Sequence, residues 1–311
     1  MRVLVTGGAG FIGSTLVRTL LAAGHDVVVL DDLSTGYRKN IEGLPLTFIH
    51  GSILDDDLLG NAAEGADSIV HLAAMGSVPL SIDDPVACHA INATGTFKVL
   101  EAARARGVRQ VIMASSSAVY GSNPSLPKSE RDWVRPMTPY AVTKLAGEQY
   151  TLAYQDSYGL DTLAFRLFNV YGPRQDHNHP YAAVIPVWTH ALLTDQSLYL
   201  NGDGSHTRDF IYVGSLAAVL SDAVTRRVTH PEPINAAFGT ETSLNDLVGA
   251  LETATGRTAT VIHREPRAGD VLKSLADNSV QRSLFPDVPA VPLQEGLAET
   301  VAWFQETLAQ R

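Results

Sequence analysis

A doubly wound parallel α/β sheet with a smaller α/β region behind it is the fold this sequence predicts, and three observations predict it. Short apolar runs alternate with helical patterns through the first half, the first run passes straight into glycines spaced three apart, and beyond Asn169 the alternation gives way to proline-broken sequence. Taken in order, Val3 to Thr6 reads as a first strand and Ser14 to Ala23 as the helix after its glycine turn. Val27 to Leu30, Leu46 to His50 and Ser68 to Leu72 are the next strands, bounded by polar and glycine-bearing turns. Ala90 to Arg106 carries apolar residues on a 3.6-residue period and covers the sheet before the strand Val111 to Ser115. Pro139 to Tyr158 is a second long helix, begun by Thr138 as cap with proline at its first position, and Leu163 to Phe168 is the strand it returns to.

After Asn169 come Pro173, Pro180 and Pro186, a Gly202-Asp203-Gly204 turn, and helices over Leu244 to Thr255 and Leu297 to Leu308. We expect residues 1–169 to form the sheet domain, with 208–232 packing back on it, and 170–311 to form mainly a substrate-binding domain. No Gly/Ser linker separates the two, so packing should fix the cleft between them. With 45% apolar and 18% charged residues the chain can bury a real core. A formal charge of −10 without a basic run argues against nucleic acid or an anionic membrane as partner. A single cysteine, Cys88, forbids an internal disulfide, no apolar run is long enough to span a bilayer, and the glycines break any signal-like N-terminal stretch, so the cytoplasm is the expected location.

The opening Thr6-Gly7-Gly8-Ala9-Gly10-Phe11-Ile12-Gly13 is a place for a dinucleotide pyrophosphate. Glycines let backbone approach the phosphates, and the helix behind them aims N–H groups and its dipole at the charge. Asp31 ends the second strand eighteen residues after Gly13, where a carboxylate accepts hydrogen bonds from an adenosine ribose and repels a 2′-phosphate. That favours NAD over NADP, with Arg38 and Lys39 read as solvated loop charges. Tyr140 and Lys144 stand one helical turn apart on one face, and a phenol beside a fixed cation ionises below its usual pKa of about 10. The pair reads as a general base for a hydroxyl proton or, without a cofactor beside it, as an ordinary surface pair. The serines at 115–117 could be a strand-end cap, and no G-x-S-x-G elbow makes one a nucleophile.

With TGxxGxxG from Thr6, Asp31, His71-Leu72-Ala73-Ala74, Ser115-Ser116-Ser117 before Val119-Tyr120-Gly121, and YxxxK at Tyr140, the chain resembles the extended short-chain dehydrogenase/reductases, specifically the NAD-dependent sugar-nucleotide epimerases and dehydratases. Within them it is most similar to the UDP-glucose and UDP-N-acetylglucosamine 4-epimerases. That resemblance implies a Rossmann domain binding NAD through Gly7, Gly10, Phe11, Ile12, Gly13, Asp31, Ser52, Ile53, Leu72, Ala73, Ala74, Asn92, Tyr140 and Lys144. It implies Tyr140 as base, Lys144 as the group that lowers its pKa, and Ser116 as the bridge between sugar hydroxyl and phenol. A UDP-sugar would meet Ser77, Ser116, Ser117, Tyr140, Asn169, Val184, Arg208, Arg267, Asp270 and Ser274, with Arg174 a weaker third cation. Related dehydratases and decarboxylases carry acids where this chain has Ser117 and Ala118, so a 4-keto sugar should take its hydride back on the other face, which is 4-epimerisation.

Ser274 stands where epimerases restricted to UDP-glucose and UDP-galactose tend to carry tyrosine, so a small residue there makes room for an acetamido group. UDP-glucuronate 4-epimerisation, or a dehydratase or reductase of the same family, is the alternative, and a non-catalytic dinucleotide sensor is the reading from another class. The chain departs from the family at Ser52, Leu80 and Gly214-Ser215. The resemblance also implies a homodimer through the helices at 90–106 and 139–158. Asp176 to His179 reads as polar loop rather than metal site, and His71 and Cys88 read as packing residues.

Overall fold

The computed structural model describes residues 1–178, 182–266 and 272–309. Strand β1 (Arg2–Thr6) leads through the glycine turn into α1 (Phe11–Ala22), followed by β2 (Asp26–Asp31), β3 (Thr47–His50), α2 (Asp56–Ala63) and β4 (Ser68–His71). Helices α3 (Val78–Asp83) and α4 (Pro85–His89) lead through a π turn at Ala90–Thr94 into α5 (Gly95–Arg106), β5 (Gln110–Ser116), α6 (Pro139–Tyr158) and β6 (Asp161–Leu167). Then come β7 (Asn169–Tyr171), α7 (Val184–Leu193), β8 (Leu198–Asn201), β9 (Thr207–Tyr212), α8 (Val213–Thr225) and β10 (Ile234–Ala236). The chain finishes with β11 (Glu241–Ser243), α9 (Leu244–Thr255), β12 (Val261–Arg264), α10 (Ser279–Leu284) and α11 (Leu293–Ala309).

The main sheet is seven-stranded in the order β10-β6-β5-β4-β1-β2-β3, and its pairings are parallel. This is the doubly wound Rossmann fold that the alternating runs predict. Its order reverses between β1 and β4, so the loops leaving those strands diverge and open a crevice at their carboxyl ends. Side chains along β1 alternate between two cores. Val3 and Val5 pack with Leu16 and Leu20 of α1 and Leu216 and Leu220 of α8, while Leu4 packs with Leu59 of α2 and Val99 and Leu100 of α5. Strands buried on both faces need continuous apolar runs, which is how they read in the sequence.

Strands β11, β9 and β7 make a second sheet, and β12 pairs with β8. Their core is Tyr171, Trp188, Phe210, Leu247 and Leu297. From this region α8 reaches back onto α1, and β10 joins the edge of the main sheet beside β6.

Several boundaries differ from expectation for physical reasons. Helix α1 begins at Phe11 rather than Ser14, because extended Gly10 serves as its N-cap. The predicted helix 90–106 opens instead with the π turn, and Gly107 at φ +67° ends it. Helix α6 spans the predicted residues: Ala141 N donates to the Thr138 hydroxyl at 3.3 Å, Pro139 occupies the first position, and left-handed Gly159 closes it. Helix α8 was not foreseen: its outward stripe is Gly214, Ala218, Asp222 and Thr225, and two of these are small residues that leave the polar face faint in the sequence. Among the described residues no helix is long and apolar enough to cross a membrane, and no cluster of His, Cys, Asp and Glu could hold a metal ion.

Candidate active site

The crevice at the strand-order reversal is a cavity of about 520 Å³, walled by the loops after β1, β2, β4 and β5. Gly7 has φ +71°, and a Cβ on it would lie 2.7 Å from Ala73 N; a Cβ on Gly13 would lie 2.1 Å from Gly7 O. Only glycines let β1, the β4 loop and the start of α1 converge this closely. Gly7, Gly10, Phe11, Ile12 and Gly13 line the cavity, and α1 begins there without a side-chain cap or an acid in its first turn. Its N-terminal N–H groups thus favour an anion.

At the end of β2, Asp31 accepts from Ala9 N at 2.9 Å and Leu33 N at 2.8 Å. Burial pushes its carboxyl above the usual range against those two bonds, and each oxygen keeps a lone pair for a ribose hydroxyl. Ser52, Ile53, Leu72, Ala73 and Ala74 complete the wall. A glycine-lined pyrophosphate seat with a carboxylate at the ribose end fits NAD. Arg38 is occupied over the Phe48 ring at 4.0 Å, and Lys39 over the Tyr37 ring at 5.1 Å.

Ser116, Tyr140 and Lys144 meet on the cavity floor. β5 delivers Ser116 at its end, and the first turns of α6 deliver the other two. Ser116 stands close enough to the Tyr140 phenol to favour its ionised form, and its hydroxyl accepts from Ala118 N at 3.2 Å. Lys144 Nζ donates to Ala114 O at 2.9 Å, and burial lowers its pKa to about 8. The phenol corrects our expectation. Burial raises Tyr140 above its ordinary pKa, Ser116 only partly opposes it, and Lys144 is not among the groups that shift it.

A second cavity of about 260 Å³ adjoins the first and shares Val170 with it. Asn169, Val184 and Arg208 line it together with Tyr171 and Phe210, so three predicted substrate residues come together. Arg208 Nη1 donates to Thr207 O at 2.8 Å, and Asn169 Nδ2 donates to Asp209 O at 3.0 Å.

Other predicted positions fall elsewhere. Asn92 is not on the cavity wall; it is buried, accepting from Met75 N at 2.8 Å and donating to Met75 O at 3.2 Å, so it braces the β4 loop. Ser77 caps α3 by accepting from Leu80 N at 3.3 Å, and Leu80 lines the cleft. Ser117 and Ser274 line neither cavity; Ser274 N donates to Thr207 O at 3.2 Å, beside Arg208. Arg174 donates to Thr15 of α1 at 3.0 Å. Asp176 accepts from the Tyr37 hydroxyl at 2.7 Å. Arg267, Asp270 and His179 lie outside the described residues.

The sequence reading missed Asp209. Its carboxylate is buried and accepts from Phe238 N at 3.0 Å, Gly239 N at 3.1 Å and Ala276 N at 3.2 Å, stitching the strand of Arg208 to the segment of Ser274. Burial raises it to about 6. It stands within the Arg208-Asp209-Phe210 stretch, but nothing in a single sequence distinguishes a carboxylate serving backbone from one serving a ligand.

Comparison with known proteins agrees with this geometry. The chain is 42% identical to a UDP-glucose 4-epimerase of Mycolicibacterium smegmatis, over 98% of this chain and 99% of that protein. It superposes with a TM-score of 0.93 and 37% identity on a UDP-N-acetylglucosamine 4-epimerase from Methanobrevibacter ruminantium, solved with UDP-N-acetylmuramic acid, covering 98% of both chains. The UDP-glucuronic acid 4-epimerase of Bacillus cereus, solved with UDP-glucuronic acid and NAD, gives 0.90 at 31% identity, covering 99% of this chain and 100% of that one. Residues 3–237 match the NAD dependent epimerase/dehydratase family. With its glycine cradle, its Asp31 carboxylate and its Ser116, Tyr140 and Lys144 floor, the chain belongs to that family.

Proposed function

We propose that this chain is an NAD-dependent 4-epimerase of UDP-hexoses that accepts UDP-N-acetylglucosamine and UDP-N-acetylgalactosamine as well as UDP-glucose and UDP-galactose. The observation that carries the reading is the meeting of a proton-transfer floor with a dinucleotide cleft, at the point where a second, arginine-bearing cavity opens. Gly7, Gly10, Gly13 and Asp31 would hold NAD, which would supply the cleft with a hydride acceptor and donor and a positive charge. The Tyr140 phenolate removes the 4-hydroxyl proton, Ser116 orients that hydroxyl, and Lys144 steadies the phenolate. Arg208 receives the diphosphate, for which a guanidinium fork is suited, and Tyr171 and Phe210 offer the nucleotide an aromatic wall. Neither Ser117 nor Ala118 supplies the acid that would eliminate water from a 4-keto sugar, so return of hydride is the remaining fate.

Two copies pair in this reading. Tyr150 and Tyr158 of α6 and Phe97 of α5 are exposed, and Phe97 lies 5.5 Å from Tyr150, an aromatic surface suited to a two-fold mate. The lone cysteine, buried Cys88, asks for no oxidising compartment, and we place the protein in the cytoplasm.

The test is incubation of the purified protein, without added reductant, with UDP-N-acetylglucosamine and separately UDP-glucose, resolving 4-epimers by chromatography. Each 4-epimer should form with no net NADH; a stable keto product or stoichiometric NADH would overturn the proposal. The acetamido assignment rests on the family resemblance at Ser274, which lines neither cavity but whose backbone N donates to Thr207 O beside Arg208. On that assignment, Ser274→Tyr should cut the ratio of N-acetylhexosamine to hexose turnover by about tenfold or more. Equal losses on both would count against the acetamido assignment.

A further inference from the structure

His71, which the sequence casts as a packing residue, is a fully enclosed imidazole with both ring nitrogens in use. Its Nδ1 lies 2.8 Å from Thr6 Oγ1, and its Nε2 lies 3.0 Å from Thr96 Oγ1. The ends of this chain fix its direction. Ala73 N–H can only donate, and it donates to Thr6 Oγ1 at 3.3 Å. Asn92 O can only accept, and it takes the Thr96 hydroxyl at 2.6 Å. With its proton committed to Asn92 O, Thr96 Oγ1 accepts from the imidazole, so Nε2 carries the hydrogen. Nδ1 is then the acceptor for the Thr6 hydroxyl. Every donor has one acceptor, in one sense from Ala73 to Asn92.

The network continues from the Asn92 side chain. Asn92 Nδ2 donates to Thr143 Oγ1 at 3.1 Å, and that hydroxyl donates to Tyr140 O at 2.9 Å. The Asn92 side chain also clasps Met75 through its N and O. One buried polar chain therefore joins the cleft wall at 73–75 to the helix that presents Tyr140 and Lys144.

We infer that His71, as the Nε2–H tautomer, is a positioning residue that sets the cofactor-facing loop 72–75 against the catalytic helix α6. This rests on the NAD-dependent reading above. Burial first, and Lys144 second, lowers the imidazole to about 3, so it stays neutral and keeps its one donor and one acceptor. An imidazolium would turn a second donor on Thr6 and reverse half the chain.

The experiment reads the tautomer directly. ¹⁵N-histidine spectra of the protein as purified, with the His71 signals assigned by their loss in His71→Gln, should show Nε2–H and no titration between pH 5 and 9; an Nδ1–H tautomer or an imidazolium at neutral pH overturns the inference. Thr96→Val removes the acceptor of Nε2–H, and it should weaken NAD binding roughly tenfold while leaving UDP affinity unchanged. Thr96→Ser should restore NAD binding. Wild-type NAD affinity in Thr96→Val, or equal losses for NAD and UDP, overturns the positioning role. Should Thr96→Val fail to fold, the wild-type spectrum still decides. Failure of the family reading looks different, since the wild type would then bind no NAD whatever its tautomer.

Discussion

Tyr140→Phe is expected to lower turnover of UDP-sugar by about 10²–10⁴-fold, the range a positioned general base supplies, with NAD and UDP affinities unchanged. In the proposed reading the Tyr140 phenolate takes the hydroxyl proton. Ser116 would have to ionise first, for which a hydroxyl is too weakly acidic, and it already accepts from Ala118 N, while Lys144 donates to Ala114 O. The ring itself packs where Tyr140 already sits, so removing one oxygen leaves the cleft its shape. Burial raises the phenol's pKa in this structure, and a cationic nicotinamide held beside it would favour the phenolate. Comparing kcat with the NAD and UDP dissociation constants checks this. A loss of less than about tenfold in kcat would remove Tyr140 from the role of base.

The largest expected effect on stability lies about two turns beyond Tyr140 in α6. Glu148 and Arg166 form an ion pair whose side chains are 0% and 4% exposed, with Arg166 Nη2 on Glu148 Oε1 at 2.7 Å and Nε on Oε2 at 3.0 Å. Ser115 donates to the same Oε2 at 2.7 Å. Burial works against the arginine's charge, and the carboxylate more than offsets it. Glu148→Ala leaves an uncompensated guanidinium and an unmet serine in the interior, which should cost about 3–5 kcal/mol. Chemical denaturation measures it. Replacing both partners with apolar residues, as in Glu148→Leu with Arg166→Met, should recover much of the loss, since a buried pair contributes little over a hydrophobic isostere. A single variant within about 1 kcal/mol of wild type would show that the pair is not what anchors α6 to β5 and β6.

What could be read in the sequence was what backbone geometry forces. Gly7 and Gly13 announce the cofactor turn because no other residue fits there, and Asp31 follows at the end of the next strand. Tyr140 and Lys144 were legible because helical spacing is local, and Thr138-Pro139 marks where that helix begins. What escaped depends on partners far along the chain. His71 serves Thr6 and Thr96, 65 and 25 positions away, and nothing in its neighbours hints at a relay. Arg166 sits in a stretch resembling a substrate-binding motif, yet it points to Glu148 in the interior. Asn92, expected on the cofactor, holds Met75 instead, because the π turn at Ala90–Thr94 opens the helix there. The phenol's raised pKa was invisible because burial belongs to the folded molecule.

The central claim is that hydride leaves C4 of the sugar and returns to the same carbon on its opposite face. UDP-glucose deuterated at C4, turned over in ordinary water, tests it by mass and NMR analysis of the product. The account predicts UDP-galactose that keeps its deuterium at C4; deuterium lost to solvent would contradict it.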